Sequence, residues 1–172
     1  MPNQRPDDAA SITIKATDAS CLDGLWSALD AVARERRHLA FLQAPPRQAA
    51  QEFYRAVIEQ DLCQFVALRG DQVIGWCDIL PVTGEARAHI GVLGMGLVAG
   101  ARHQGIGPML LDAALQKARR KGLRRIELTV RTDNKPAQSL YARFGFMTEG
   151  VQRNALLVDG NFYDAYAMAL LF

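Results

Sequence analysis

Residues 94–108 read Gly94-Met95-Gly96-Leu97-Val98-Ala99-Gly100-Ala101-Arg102-His103-Gln104-Gly105-Ile106-Gly107-Pro108, and the reading of this stretch decides the fold. An apolar, glycine-punctuated run from Ala88 to Val98 is a strand, and it leads into a short polar loop. A helix-patterned segment follows at once. Strand, glycine loop and helix start, in that order, build a place for phosphates. Backbone without side chains lets amide N–H groups converge, and the first turn of a helix adds unsatisfied donors and a positive dipole end. Pro108 suits that turn, because a missing N–H costs nothing there.

Two nucleotide motifs compete for the same glycines, and both fail. The dinucleotide fingerprint requires a third small residue three positions after Gly107, where Leu110 stands. A P-loop starting at Gly100 requires Lys and then Ser or Thr after Gly105, where Ile106 and Gly107 stand. What remains is Arg102-x-x-Gly105-x-Gly107.

Downstream, a helix is expected from about Gly107 to Lys121, with Gly122 placed to end it. A strand over Arg125 to Val130 and a short helix over Asn134 to Phe144 come next. Strands at Phe146 to Val158 and Asn161 to Leu171 are joined by Asp159-Gly160, a strong hairpin signal. Upstream, Met1 to Ala10 reads as a disordered tail, and Ser11 to Thr17 alternates as a first strand. Asp18 or Ser20 caps a helix running to about Arg36. Pro45-Pro46 separates it from a second helix, Arg47 to about Asp61, with Phe53, Val57 and Ile58 on one face. Strands Gln64 to Arg69 and Gln72 to Val82 form a hairpin about Gly70-Asp71. The expected class is a single mixed α/β domain over residues 11–172. Its sheet is mainly antiparallel, with a parallel step where the Pro108 helix crosses over.

Bulk properties bound the function. The chain of 172 residues is long enough for one domain with its own core, and 49% hydrophobic with 22% charged residues is ordinary for a globular protein. A formal charge of +2 gives no argument for nucleic acid. The cluster Arg119-Arg120-Lys121 with Arg124-Arg125 reads as a solvated helix end, or secondly as an attractor for a phosphate-rich ligand. Cys21, Cys63 and Cys77 lack metal-ligand spacing and read as buried free thiols of a reducing, cytoplasmic compartment. No apolar run is long enough to span a membrane, and no metal site is expected.

The stretch Gly94 to Val98 with Arg102 to Gly107 resembles the coenzyme-binding motif of the GNAT superfamily of N-acetyltransferases. So does Asn134-Lys135-Pro136-Ala137-Gln138-Ser139-Leu140-Tyr141-Ala142-Arg143-Phe144-Gly145-Phe146: Asn, Ala three on, Leu-Tyr, then Gly-Phe. The likeness covers roughly residues 64 to 171, and bacterial members acting on small amines or protein N-termini resemble the chain best. It implies the GNAT fold, a mixed sheet of about seven strands with about four helices. Acetyl-coenzyme A would then lie between two splayed strands, Ala88 to Val98 and Arg125 to Val130. It implies backbone contacts to the pantetheine arm near Met95, Gly96 and Leu97. The pyrophosphate would be held by Arg102, His103, Gln104, Gly105, Ile106 and Gly107, with the amides of Gln104 to Gly107 mattering most.

Two roles stand for Asn134, the cap of the following helix and a contact to the cofactor arm. The resemblance makes Tyr141 the proton donor to the leaving thiolate. A phenol with pKa ~10 stays protonated at neutral pH and can donate to a thiolate of pKa about 8.5. A core tyrosine packed beside Phe144 is the alternative. The general base is open among His89, Glu127 and a relayed water. An α-amino group is already about 14% neutral at pH 7 and hardly needs one, whereas a lysine amine is only about 0.04% neutral. Tyr54, Tyr163, Tyr166, Trp26, Phe41 and Phe162 are candidates for an acceptor pocket, and Arg36, Arg37 and His38 would favour an acceptor bearing a carboxylate. The expected activity is direct transfer of an acetyl group to a primary amine of a small molecule or peptide N-terminus, in a homodimer. A non-catalytic acyl-coenzyme A sensor on the same fold is the rival, and a longer-chain acyltransferase a weaker one.

Overall fold

The computed structural model describes residues 11–172, so the tail expected at 1–10 lies outside the described residues. Seven strands form one sheet in the order β1-β2-β3-β4-β5-β7-β6. They are β1 (Ile12–Ala16), β2 (Cys63–Arg69), β3 (Gln72–Pro81), β4 (Ile90–Leu97), β5 (Arg125–Arg131), β6 (Met147–Val158) and β7 (Asn161–Leu171). Four helices accompany them: α1 (Leu22–Arg34), α2 (Arg47–Glu59), α3 (Ile106–Arg120) and α4 (Lys135–Arg143). Element types match the sequence pattern throughout, with ends shifted by a residue or two.

Every strand pair is antiparallel except β4 with β5. That parallel pairing lasts only for Ile90↔Arg125, Gly91↔Ile126 and Val92↔Glu127. Beyond it β4 stays on β3 as far as Leu97, and β5 stays on β7 as far as Arg131. The sheet is therefore parted into a wedge that opens from residues 93 and 128 upward.

Turn chemistry fixes the frame. Asp159 and Gly160 both take positive φ, 50° and 78°, as the tight turn between β6 and β7 requires. Gly122, at φ 82°, ends α3 while its N–H bonds the Arg119 carbonyl. The cations around that end are paired as well as solvated. Lys117 and Lys121 both reach Asp61, Arg119 lies over the Phe172 ring, and Arg125 binds Glu127 and Glu149.

Two apolar layers cover the sheet. Leu110, Leu111, Ala114 and Ala118 of α3 pack on one face against Ile79, Leu93, Ile126 and Leu128. Leu25, Ala28 and Val32 of α1, with Ala50 and Tyr54 of α2, pack on the other against Val66, Val73 and Trp76. One expectation is corrected here. The buried stripe of α2 is Ala50, Tyr54 and Val57, at i, i+4 and i+7, whereas Phe53 is 46% exposed. Phe53 falls one position off that stripe and sets its ring edge-on to Tyr54, with centroids 5.6 Å apart.

Candidate active site

The wedge between β4 and β5 opens into a cavity of about 1330 Å³. Strand parity decides what β4 shows to it. The Val98 N–H bonds the Ile74 carbonyl, and the Val82 N–H bonds the Ile90 carbonyl. Even-numbered residues of β4 thus turn their backbone groups to β3, and the odd-numbered Met95 and Leu97 turn theirs to the gap. The Leu97 carbonyl accepts from the Arg102 Nε at 3.0 Å; the Met95 and Leu97 N–H groups face the wedge without a neighbouring strand.

Side chains alternate the other way. Leu93, Met95 and Leu97 point to the α3 layer, while Val92, Gly94 and Gly96 face the α1 and α2 layer. The partner on β3 demands a glycine at 96 and leaves only tight room for a side chain at 94. A Cβ on Gly96 would come within 2.4 Å of the Trp76 ring, and one on Gly94 within 3.1 Å of Asp78 Oδ1.

At the foot of the wedge the loop 102–105 delivers the chain into α3. His103 and Gly105 adopt positive φ, 60° and 76°, which turns the backbone sharply at the helix start. The first turn of α3 carries free N–H groups, and Pro108 contributes none. The Arg102 guanidinium grips both carboxylate oxygens of Glu35 at 2.8 and 2.7 Å. This bidentate pair ties the loop to the residue just past α1. Gln104 is held outside the cavity, donating to the Gly100 carbonyl and accepting from Arg69.

α4 forms the far wall. The Asn134 side chain accepts from the Ala137 N–H at 3.3 Å, capping the helix, and Asn134 also lines the cavity. Tyr141 is 7% exposed, lines the cavity, and packs against Phe146, with ring centroids 5.7 Å apart. The partner expected from sequence was Phe144; Phe146 takes that place because Gly145, at φ 91°, turns the chain back under the tyrosine. Burial, and secondarily the nearby Cys77, pushes the Tyr141 phenol well above its ordinary value, so it stays protonated.

The cavity thus brings together Met95, Gly96, Leu97, Arg102, His103, Gly105, Ile106, Gly107, Asn134 and Tyr141. His89 and Glu127 are outside it. Exposed His89 precedes β4 at the closed end of the wedge, where its carbonyl accepts from Arg124 and Arg125. Glu127 sits on the last paired rung, bonded by Arg125 at 2.7 Å with Arg87 at 3.8 Å. Neither reaches the cavity, because the strands have not yet parted at their level.

Of the aromatic candidates Tyr54 and Phe41 line the cavity; Trp26 donates to the Pro45 carbonyl, and Tyr163 lies beneath Arg131. Arg37 and His38 line it too, whereas Arg36 pairs with Asp159. His38 is held below its usual pKa, first by burial and then by Arg102.

Two lining residues have no motif to announce them, Gln64 and Asp78. Asp78 is half-buried on β3, opposite Gly94. Burial raises its carboxyl to about 7, against a smaller opposing effect of the Gln64 side chain. Tyr54, raised to about 12 by burial and by Asp78, lines the same cavity. Gln64 and Asp78 were hidden because each sits in a strand pattern as an ordinary polar residue.

A sheet split beside a glycine-bearing strand, with a helix N-terminus at its foot and a buried phenol across the gap, defines an acyl-coenzyme A transferase. The chain belongs to the acetyltransferase (GNAT) family, whose model matches residues 31–146. It is an N-acetyltransferase with acetyl-coenzyme A as its cosubstrate.

It is 29% identical over 117 residues to a Bacillus subtilis (strain 168) protein with the provisional name of a ribosomal protein bS18-alanine N-acetyltransferase; the match covers 67% of this chain and 74% of that one. It is 32% identical over 108 residues to the Escherichia coli (strain K12) L-amino acid N-acetyltransferase AaaT, covering 62% and 66%. The fold superimposes on yncA of Salmonella typhimurium, solved with its cofactor acetyl-CoA, at a TM-score of 0.87, 15% identity and coverage of 95% and 94%. Among the described residues no group of His, Cys, Asp and Glu could hold a metal ion, and no helix is long and apolar enough to cross a membrane.

Proposed function

We propose that residues 11–172 work as one domain that transfers acetyl from acetyl-coenzyme A directly to a primary amine, of a small molecule or of a peptide N-terminus. The observation carrying this reading is the shared cavity, in which the gap-facing amides of Met95 and Leu97, the start of α3 and the Tyr141 phenol meet. The names of the two curated relatives, one acting on a ribosomal protein and one on L-amino acids, support both kinds of acceptor.

The residues then divide the work. The amides at 95–97 pair with the pantetheine arm and polarise the thioester carbonyl; a donor aimed at a developing oxyanion contributes about 3 kcal/mol. The loop from 102 to 107 and the first turn of α3 hold the pyrophosphate, with backbone N–H groups doing the holding. Arg102 shapes that loop through Glu35, and Gln104 acts through its backbone. Asn134 caps α4 and borders the cofactor arm. Tyr141 donates to the sulfur as the carbon–sulfur bond breaks. No cysteine lines the cavity, which supports attack by the amine without an acyl-enzyme.

The exposed edge strand β6, with Met147, Val151 and Leu157 uncovered, supports pairing of two copies, and three buried free thiols support a cytoplasmic setting. The test is calorimetry with acetyl-coenzyme A, followed by mass-spectrometric detection of acetylated products from amino acids, alkylamines, polyamines and short peptides. Binding and turnover are expected. Binding without turnover on any amine would turn the reading to a sensor, and no binding would end it.

A further inference from the structure

Asp78 is a half-buried carboxyl with no countercharge. Among the described residues it has no ion pair, and only burial and the Gln64 side chain act on its titration. The groups facing it are few. Tyr54 of α2, which feels the Asp78 charge, lines the same cavity, and Gln64 is beside it on β2. Gly94 lies opposite on β4, with no side chain, and Cys77 is its chain neighbour on the other face. α1 sends only Leu25, Leu29 and Val32 into the cavity. Arg37 and His38 enter that cavity from the loop after α1 without acting on Asp78. Gln64 is 2% exposed, and its Oε1 has no hydrogen-bond partner. Gln64 Oε1 is thus an acceptor on the cavity wall without a partner, beside an Asp78 carboxyl met only by the Gln64 side chain, and a buried acceptor left unpaired is costly. Leu25, Leu29, Phe41, Phe53 and Trp76 give the cavity an apolar wall as well, with Arg37 and His38 as its cations from the loop after α1.

We propose that Asp78 and Gln64 Oε1 form the seat for the acceptor's ammonium group, that Asp78 removes its proton, and that the acceptor is a primary amine carried on an apolar body. This rests on the acetyl-transfer reading above and names its missing base and its substrate class. R–NH3⁺ gives one proton to the Asp78 carboxylate, and the freed nitrogen lone pair attacks the thioester carbon. The carbon–sulfur bond then breaks, the sulfur takes the Tyr141 proton, and the phenolate recovers a proton from the new C–N nitrogen. The products are R–NH–CO–CH3 and coenzyme A thiol, and Asp78 passes its proton to solvent. A carboxyl near 7 suits this exchange, being mostly ionised just above neutrality yet basic enough to accept.

The experiment measures kcat/KM from pH 5.5 to 9 for phenethylamine, hexylamine and ethanolamine, in wild type, Asp78→Asn and Gln64→Leu, with acetyl-coenzyme A affinity measured alongside. Wild type is expected to favour the two apolar amines at least ~10-fold and to rise with pH through about 7. Asp78→Asn should lose ~100-fold on hexylamine, with the limb near 7 gone and acetyl-coenzyme A affinity kept. Gln64→Leu should raise KM several-fold with the pH profile intact, and it carries the test if Asp78→Asn does not fold. An unchanged profile in Asp78→Asn, a preference for ethanolamine, or no turnover by a wild type that binds acetyl-coenzyme A would overturn the proposal. Failure of wild type to bind acetyl-coenzyme A would instead bring down the acetyl-transfer reading on which it rests.

Discussion

The end of the cleft proposed for the coenzyme comes from two runs continuous in the chain, 94–107 and 134–146. The end proposed for the acceptor takes single side chains from α1, α2, β2 and β3, spread from Leu25 to Leu80. Both ends share β4, which shows its backbone edge to one and its side-chain-free face to the other. The difference teaches that a ligand held by backbone leaves its mark as a local motif. A ligand held by side chains on a sheet face leaves only scattered residues.

Substitution at the shared strand should have the largest effect. Gly96→Val drives its Cβ into the Trp76 ring and should cost about 3 kcal/mol in chemical denaturation, while weakening acetyl-coenzyme A binding as well. A stable variant with normal binding would mean the two ends are not joined through this strand. Tyr141→Phe sharpens the contrast by touching one end alone. We expect kcat to fall about 10- to 100-fold with acetyl-coenzyme A affinity unchanged in calorimetry.

The end proposed for the acceptor should answer to pH. Asp78 binds its proton more tightly folded, near 7, than unfolded, at 3.8. Its contribution to stability is full below about 4 and is lost as pH rises through 7. With water in the open chamber screening part of the shift, wild type should lose about 1–2 kcal/mol across that window relative to Asp78→Asn, read from urea midpoints. Parallel curves for the two proteins would refute a raised carboxyl. The smallest effect belongs to Asn134→Ala, which removes the α4 cap and should cost about 1 kcal/mol in the same assay. A much larger loss of acetyl-coenzyme A affinity would show that its role in the cleft outweighs its role as a cap.

Legibility in the sequence follows the same division. Gly105 and Gly107 before Pro108, and Asn134 ahead of Tyr141, are short-range patterns set by turn geometry and capping, so the fold could be read from them and the end of the cleft proposed for the coenzyme is built from the same runs. Asp78 could not, because its meaning depends on Gly94 lying across the β3–β4 ladder and on Tyr54 arriving from α2. His89 and Glu127 drew notice as ionisable groups near the cofactor-flanking strands. Spacing alone does not tell where a parallel pair parts, and both fall on the closed side of that point. Phe53 illustrates the same limit, since a one-residue shift in a helical stripe moved it from the core to the cavity wall.

The three cysteines, at 2%, 2% and 0% exposure, bear on how the enzyme can be watched. Burial also raises the Cys63 and Cys77 thiols, so they resist chromogenic disulfide reagents while the chain stays folded. Colour released in such a continuous assay would count coenzyme A alone, and a delayed second wave of colour would report unfolding of the protein.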